Sequence, residues 1–138
     1  MEYMAVPRLL SLAERAWAPR PGWATPHDRG EPRARRAEAW TAFANRLGHR
    51  ELPRLSIRHP DWSYRLPPPG ATVEAGTLRA NVALPGLAVR YTTDGTRPTA
   101  TSPRYTAPVP VPEGATVRLR TFDTLGRGGR TVTVPTSP

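Results

Sequence analysis

Residues 2–17, EYMAVPRLLSLAERAW, restrict the fold of this chain more than any other stretch. At the helical period Arg8, Ser11, Glu14 and Arg15 share one narrow polar stripe. Tyr3, Ala5, Val6, Leu9, Leu10, Leu12, Ala13, Ala16 and Trp17 fill nearly all the remaining arc. A surface helix needs an apolar stripe only about 100° wide, and this arc is roughly twice that. Pro7 stands near the start, where a helix tolerates proline best. The pattern describes a helix wedged between several neighbours of a larger body. We therefore expect that this chain alone does not fully enclose Leu9, Leu10 and Leu12, and that it is the tail end of something longer.

The next stretch, residues 18–32, is punctuated by Pro19, Pro21, Gly22, Pro26 and Gly30 and reads as a loop with Trp23 as its large anchor. A second helix follows from about Arg33 to Leu47, with Ala37, Trp40, Phe43, Ala44 and Leu47 on one face and Gly48 as its C-terminal cap. A short third helical turn covers Glu51 to Ile57, and His59 before Pro60 is expected to be extended. Residues 66–71 form a stiff proline-rich connector, across which the periodicity changes. Beyond it Leu78, Ala80, Val82 and Leu84 alternate with other residues, as do Val89 and Tyr91, then Val117, Leu119 and Thr121, then Val132 and Val134. Asp94-Gly95 and residues 126–129 carry turn chemistry between these runs. The fold class is thus helices first, over 1–65, and a small antiparallel β-sandwich second, over 72–138.

A formal charge of +9 invites a nucleic-acid reading, because a basic chain gains phosphate affinity by releasing counterions. The distribution argues against it. All twenty basic residues are arginine, spread along the chain, and only Arg33, Arg35 and Arg36 cluster. No aromatic residues interleave them as a single-strand platform requires. No run approaches the roughly 18 apolar residues of a membrane span, and no basic-then-apolar leader precedes Glu2. Without cysteine there are no disulfides or thiolate metal sites, and His27, His49 and His59 are not spaced as zinc ligands. No cofactor is expected, and neither nucleic acid nor membrane is expected as a partner.

The first half resembles the end of the catalytic domain of glycoside hydrolase family 20, the β-N-acetylhexosaminidases. The matching residues are Glu2-Tyr3-Met4-Ala5, Pro7-Arg8-Leu9-Leu10, Leu12-Ala13-Glu14 and Trp17, then Trp40, Phe43, Arg46 and Leu47, then Leu52-Pro53-Arg54-Leu55, then Tyr64-Arg65 and Pro67. The second half is similar to the small fibronectin-like domain that often follows that barrel. It matches through Val89-Arg90-Tyr91-Thr92-Thr93-Asp94-Gly95-Thr96, Pro98-Thr99, Ser102 and Tyr105, with Arg120-Thr121-Phe122-Asp123 and Gly126-Arg127 behind. The resemblance implies a helical remnant of a (β/α)8 barrel end over 1–65, and a fibronectin type III or immunoglobulin-like sandwich over 72–138.

For the parent enzyme the resemblance implies retaining hydrolysis of terminal N-acetylhexosamines, in which an Asp-Glu pair assists attack by the substrate's own acetamido group. The sequence contains no Asp-Glu dipeptide and no W-x-E. A barrel takes about 250 residues, so this chain holds at most its final helical layer. No catalytic, substrate-binding or metal residue is therefore assigned, and N-acetylhexosamine glycans are partners only through a barrel that this chain lacks. Glu14 and Arg15 read as structural partners on an outer helix, Trp17 and Trp40 as core, and Trp23 and Trp62 as loop aromatics that a ligand could reach. Asp94 reads as a turn residue, and Tyr91 and Tyr105 as sandwich packing with hydroxyls tied to the backbone. Two other functions compete: a stand-alone carbohydrate- or protein-binding module, and a small arginine-rich nucleic-acid binder.

Overall fold

A computed structural model describes residues 2–19, 32–62 and 64–135, in two compact units, 1–65 and 66–138. The sequence readings for Trp23, His27 and the rest of the loop from residue 20 to residue 31 lie outside the described residues.

The first unit is helical: α1 spans Glu2–Trp17, α2 Pro32–Arg46 and α3 Leu52–Arg58. Gly48 is not the cap that its position after an apolar face predicts. The backbone continues through a π-helical turn, Leu47–Glu51, in which the Leu52 amide bonds the carbonyl of Leu47. Pro53 gives the physical reason. Inside a continuing helix a proline ring collides with the carbonyl four residues back, and a widened turn makes room for it. Gly48 is buried in that turn, inside one helical rod from Pro32 to Arg58. His59 ends the rod at φ −135°, extended as the following proline requires. Tyr64 then folds back on α3, its hydroxyl 2.8 Å from Ser56 Oγ and 3.5 Å from the Leu52 carbonyl.

The second unit is a small β-sandwich of two three-stranded antiparallel sheets. One sheet has the order β1 (Gly70–Glu74), β2 (Thr77–Asn81), β4 (Val109–Pro110). The other has β3 (Ala88–Thr92), β5 (Val117–Phe122), β6 (Val132–Val134). Leu78 from the first sheet and Val89, Val117, Leu119 and Val134 from the second close a shared core, and Leu78, Val117 and Leu119 are completely buried. The alternation in β5 does what it predicts: Val117, Leu119 and Thr121 face inward, and Arg118 and Arg120 outward.

Two boundaries differ from the sequence reading. The last two residues of the connector, Gly70 and Ala71, are already strand and pair with Asn81 and Ala80. The second correction concerns the run from Leu78 to Leu84, which leaves the ladder after Asn81, with Leu84 buried in a turn instead. The β1–β2 hairpin turns on Ala75 (φ 48°) and Gly76 (φ 68°), both in the left-handed region, as a two-residue type I′ turn needs. An alanine there gives a weaker signal than Asn-Gly.

Candidate functional site

In the helical unit, Leu9 is 57% exposed, Leu12 65% and Trp17 85%, while Leu10 is half-buried. The apolar face of α1 is therefore left open, as its overwide arc predicts. Against α3 it forms one wall of an open groove of about 440 Å³, lined by Leu9, Leu10, Ala13, Leu55 and Trp62, with Arg54 and Arg58 beside them. A neighbouring depression of about 340 Å³ runs between α1 and the end of α2, lined by Leu10, Ala13, Trp17, Phe43 and Leu47.

The core reading of two tryptophans is corrected. Trp17 is open to solvent, and Trp40 is 54% exposed, touching Phe43 at 5.9 Å between ring centroids. Their helical spacing places them with apolar neighbours, but α2 is exposed at every residue from Arg33 to Ala42, and only its end, at Ala44, is buried among the described residues, with Leu47 just beyond it. Glu14 holds the structural role read for it. Arg46 Nη1 donates to both of its carboxylate oxygens at 2.9 and 3.0 Å, joining α1 to α2, and both side chains stay part-exposed, so the pair adds little stability. Trp62 stacks on His59 with ring centroids 4.5 Å apart, and His49 is exposed on the π-helical turn. Among the described residues no three metal-ligating side chains gather.

In the sandwich, Asp94 is the turn residue it reads as. Its Oδ1 accepts from the Thr96 amide at 3.0 Å and from the Thr96 hydroxyl at 2.6 Å, and Gly95 takes φ 77°. These bonds, the hydroxyl first, hold the exposed Asp94 carboxyl below its ordinary pKa. Tyr91 and Tyr105 pack on the core, but it is their amides, not their hydroxyls, that the described hydrogen bonds use: Tyr91 N to the Pro103 carbonyl and Tyr105 N to that of Val89. Asp123 accepts from the amides of Leu125 and Arg127 and pairs with Arg127 Nε at 2.7 Å, closing the loop after β5.

One feature of the sandwich emerges only from the register. Arg90 on β3 lies directly opposite Arg120 on β5, and Arg104 bridges to Arg90 from the other side. Arg118, one outward position along β5, stands between Thr92 and Thr133. The outer face of this sheet thus carries four arginines, and none of its outward strand positions is acidic. Alternation in β5 hints at two of them, but their alignment with Arg90 and Arg104 depends on pairings distant in sequence.

Residues 51–131 match the family model of the chitobiase/beta-hexosaminidase C-terminal domain, more than half of the chain. The chain belongs to that family. It is 40% identical over 103 residues to N,N'-diacetylchitobiase of Vibrio harveyi, covering 68% of this chain, and 29% identical over 151 aligned residues to beta-hexosaminidase of Vibrio vulnificus, covering 97%. These alignments span only 11% and 17% of the two relatives' own lengths. The resemblance to the C-terminal part of a chitobiase-like hexosaminidase, read from the motifs, therefore holds. The family match begins at Glu51, in the π-helical turn, so it takes in α3 and Tyr64 as well as the sandwich.

Proposed function

We propose that this chain works as the C-terminal part of a β-N-acetylhexosaminidase that removes terminal N-acetylhexosamines from glycans or chitin oligosaccharides. In this reading residues 1–65 are the helical end of a (β/α)8 catalytic barrel, residues 66–71 a connector, and residues 72–138 an accessory fibronectin-like sandwich. The open apolar face of α1, with Leu9, Leu12 and Trp17 exposed, is the observation that carries it, and the barrel is the body that would cover that face. The chain supplies no acid, base or acetamido-orienting carboxylate of its own. Its contribution is to complete and anchor the barrel, and by itself it is inactive.

The test is reconstitution. Purified chain alone is expected to release no chromophore from an aryl N-acetylglucosaminide. Fused to the catalytic part of a chitobiase relative that has lost its own C-terminal segment, it is expected to restore solubility and turnover, and Leu9→Asp with Leu12→Asp in the fusion to abolish the rescue. Turnover by the chain alone, or rescue indifferent to those substitutions, defeats the proposal. A second reading, a stand-alone carbohydrate- or protein-binding module, draws support from the closed core of the sandwich, with Leu78, Val117 and Leu119 fully buried. Saturable binding of chitin oligosaccharides by the unfused chain supports that reading, and absence of heat in titration removes it.

A further inference from the structure

The outward arginines of the β3–β5–β6 sheet form an unneutralised cationic face. Directly opposed side chains in an antiparallel pair sit with Cβ atoms about 5 Å apart, and like charges there oppose folding. Here Arg104, Arg90 and Arg120 follow one another across three neighbouring segments, and Arg118 lies two residues from Arg120, roughly 7 Å along the strand. The acidic side chains nearest in sequence are engaged elsewhere: Asp123 with Arg127 and Asp94 within its own turn.

Two of the guanidinium groups, those of Arg120 and Arg90, are also held in place. Arg120 donates from Nε to the Gly129 carbonyl at 2.6 Å and from Nη2 to that of Gly128 at 2.8 Å, and its plane lies over the Phe122 ring, 5.1 Å from the centroid. Arg90 donates from Nη1 to the Ser102 carbonyl. Neutral carbonyls position these side chains without cancelling their charge, and of the five N–H donors of a guanidinium, two of Arg120 and one of Arg90 are used in these bonds. Arg118 Nε is enclosed and, among the described residues, has no hydrogen-bond partner. Burial first, and the positive charge of Arg97 second, pull the Arg120 guanidinium below its ordinary pKa, as expected of a cation with no counter-charge. Side chains fixed before binding lose less entropy when a ligand arrives.

We propose that this face binds an anionic glycan, a polysaccharide bearing carboxylate or sulfate groups, along the Arg104–Arg90–Arg120 row with Arg118 beside it. A flat row of cations at one cross-strand spacing suits a repeating negative charge better than it suits the irregular surface of an acidic protein. Nucleic acid fits less well. The face offers no accessible aromatic for base stacking, since Phe122 is only 3% exposed beneath Arg120, and no helix to enter a groove. That the anion is a glycan rests on reading the chain as part of a saccharide hydrolase, whereas the anion site itself rests on the arginine geometry. In that setting the sandwich holds the enzyme on charged material that surrounds its hexosamine substrate.

The full chain is titrated with heparin, hyaluronan, neutral chitopentaose and duplex DNA by calorimetry, at low and raised ionic strength. Expected is salt-sensitive binding of at least one anionic glycan, tighter than that of either DNA or chitopentaose. The Arg104→Gln, Arg118→Gln double variant is expected to weaken it about tenfold or more, the loss of one to two charge-assisted hydrogen bonds. Neither side chain makes a described hydrogen bond, so the fold is expected to survive, which an amide NMR spectrum checks. Arg33→Gln with Arg35→Gln, on α2, is expected to leave binding unchanged. No glycan binding at low salt, equal affinity for DNA, or indifference to the double variant overturns the proposal. Each of these leaves the hexosaminidase reading intact, because the reconstitution assay uses a neutral substrate.

Discussion

Thr121→Val removes a side-chain bond that ties the proline-rich segment to the sheet. Thr121 is completely buried on the inner face of β5, and its hydroxyl donates to the Pro67 carbonyl at 2.7 Å, across 54 residues of sequence. Valine keeps the shape and removes the donor, so the part-buried Pro67 carbonyl loses its partner. A net hydrogen bond contributes about 1 kcal/mol, and an acceptor left unsatisfied costs about 1–3 kcal/mol, which sets the expected destabilisation. For a unit of this size each kcal/mol lowers the melting temperature by about 4–8 °C, so the expected shift is about 4–24 °C. Thr121→Ser is the control: it keeps the donor, loses one methyl, and is expected to cost only about 1 kcal/mol. All four tryptophans lie in residues 1–65, so fluorescence follows the helical unit, and the sandwich is followed by amide NMR on heating. Exchange of the Leu66 and Gly70 amides is expected to accelerate in the valine variant. A melting temperature within measurement error of the parent, or a serine variant less stable than the valine one, refutes the role given to this bond.

The Asp94 turn carries a sign-definite pH dependence. Its native pKa lies below the ordinary 3.8, so its contribution is complete above that value and is lost as pH falls through the lowered one; a Thr96 amide shift that stays flat throughout that fall contradicts the turn. Gly128→Ala places a Cβ against the Arg120 guanidinium, and we expect about 1–3 kcal/mol of destabilisation together with release of the Gly128 and Gly129 carbonyl bonds. An alanine variant that melts with the parent shows that Arg120 is not pinned. Heating the isolated chain is expected to melt the tryptophan signal at lower temperature and less cooperatively than the sandwich amides, because the apolar face of α1 lacks cover; one coincident sharp transition contradicts this.

The sandwich was legible because alternation reports burial directly. In β5 the predicted inward set, Val117, Leu119 and Thr121, is completely buried, and in β3 Val89 is buried as well. β1 escaped notice because it begins at a glycine after three prolines and ends in a turn built on Ala75, whose left-handed conformation no alanine advertises. The helices were legible as helices but not as packing. A wheel counts the apolar residues on a face and cannot say whether anything lies opposite, so Trp40 belonged to a face by spacing and yet stands more than half exposed. The continuation past Gly48 depended on weighing a cap signal against Pro53, five residues later, and local rules alone rank the glycine first. The arginine row needed the register of three segments, one of which, at Arg104, pairs through an isolated bridge outside the named strands.

The two units answer the same physical requirement in different ways. A short chain segment that must stand by itself has to close a core, and the sandwich does so with side chains from both sheets, so its outer faces are not needed for that core. The helical unit closes only a small core, around Ala44, Leu47, Leu52 and Tyr64, and turns the rest of its apolar surface outward. The isolated fold has no stability reason for Leu9, Leu12 and Trp17 to be apolar on a solvent-facing helix, where polar residues raise solubility at almost no cost in packing. Their apolar character makes sense when the surface is a contact. The same reasoning applied to the sandwich singles out its arginines, because opposed like charges weaken a sheet unless something outside the chain neutralises them. In each unit the feature that the isolated fold does not need is the one that points to a partner.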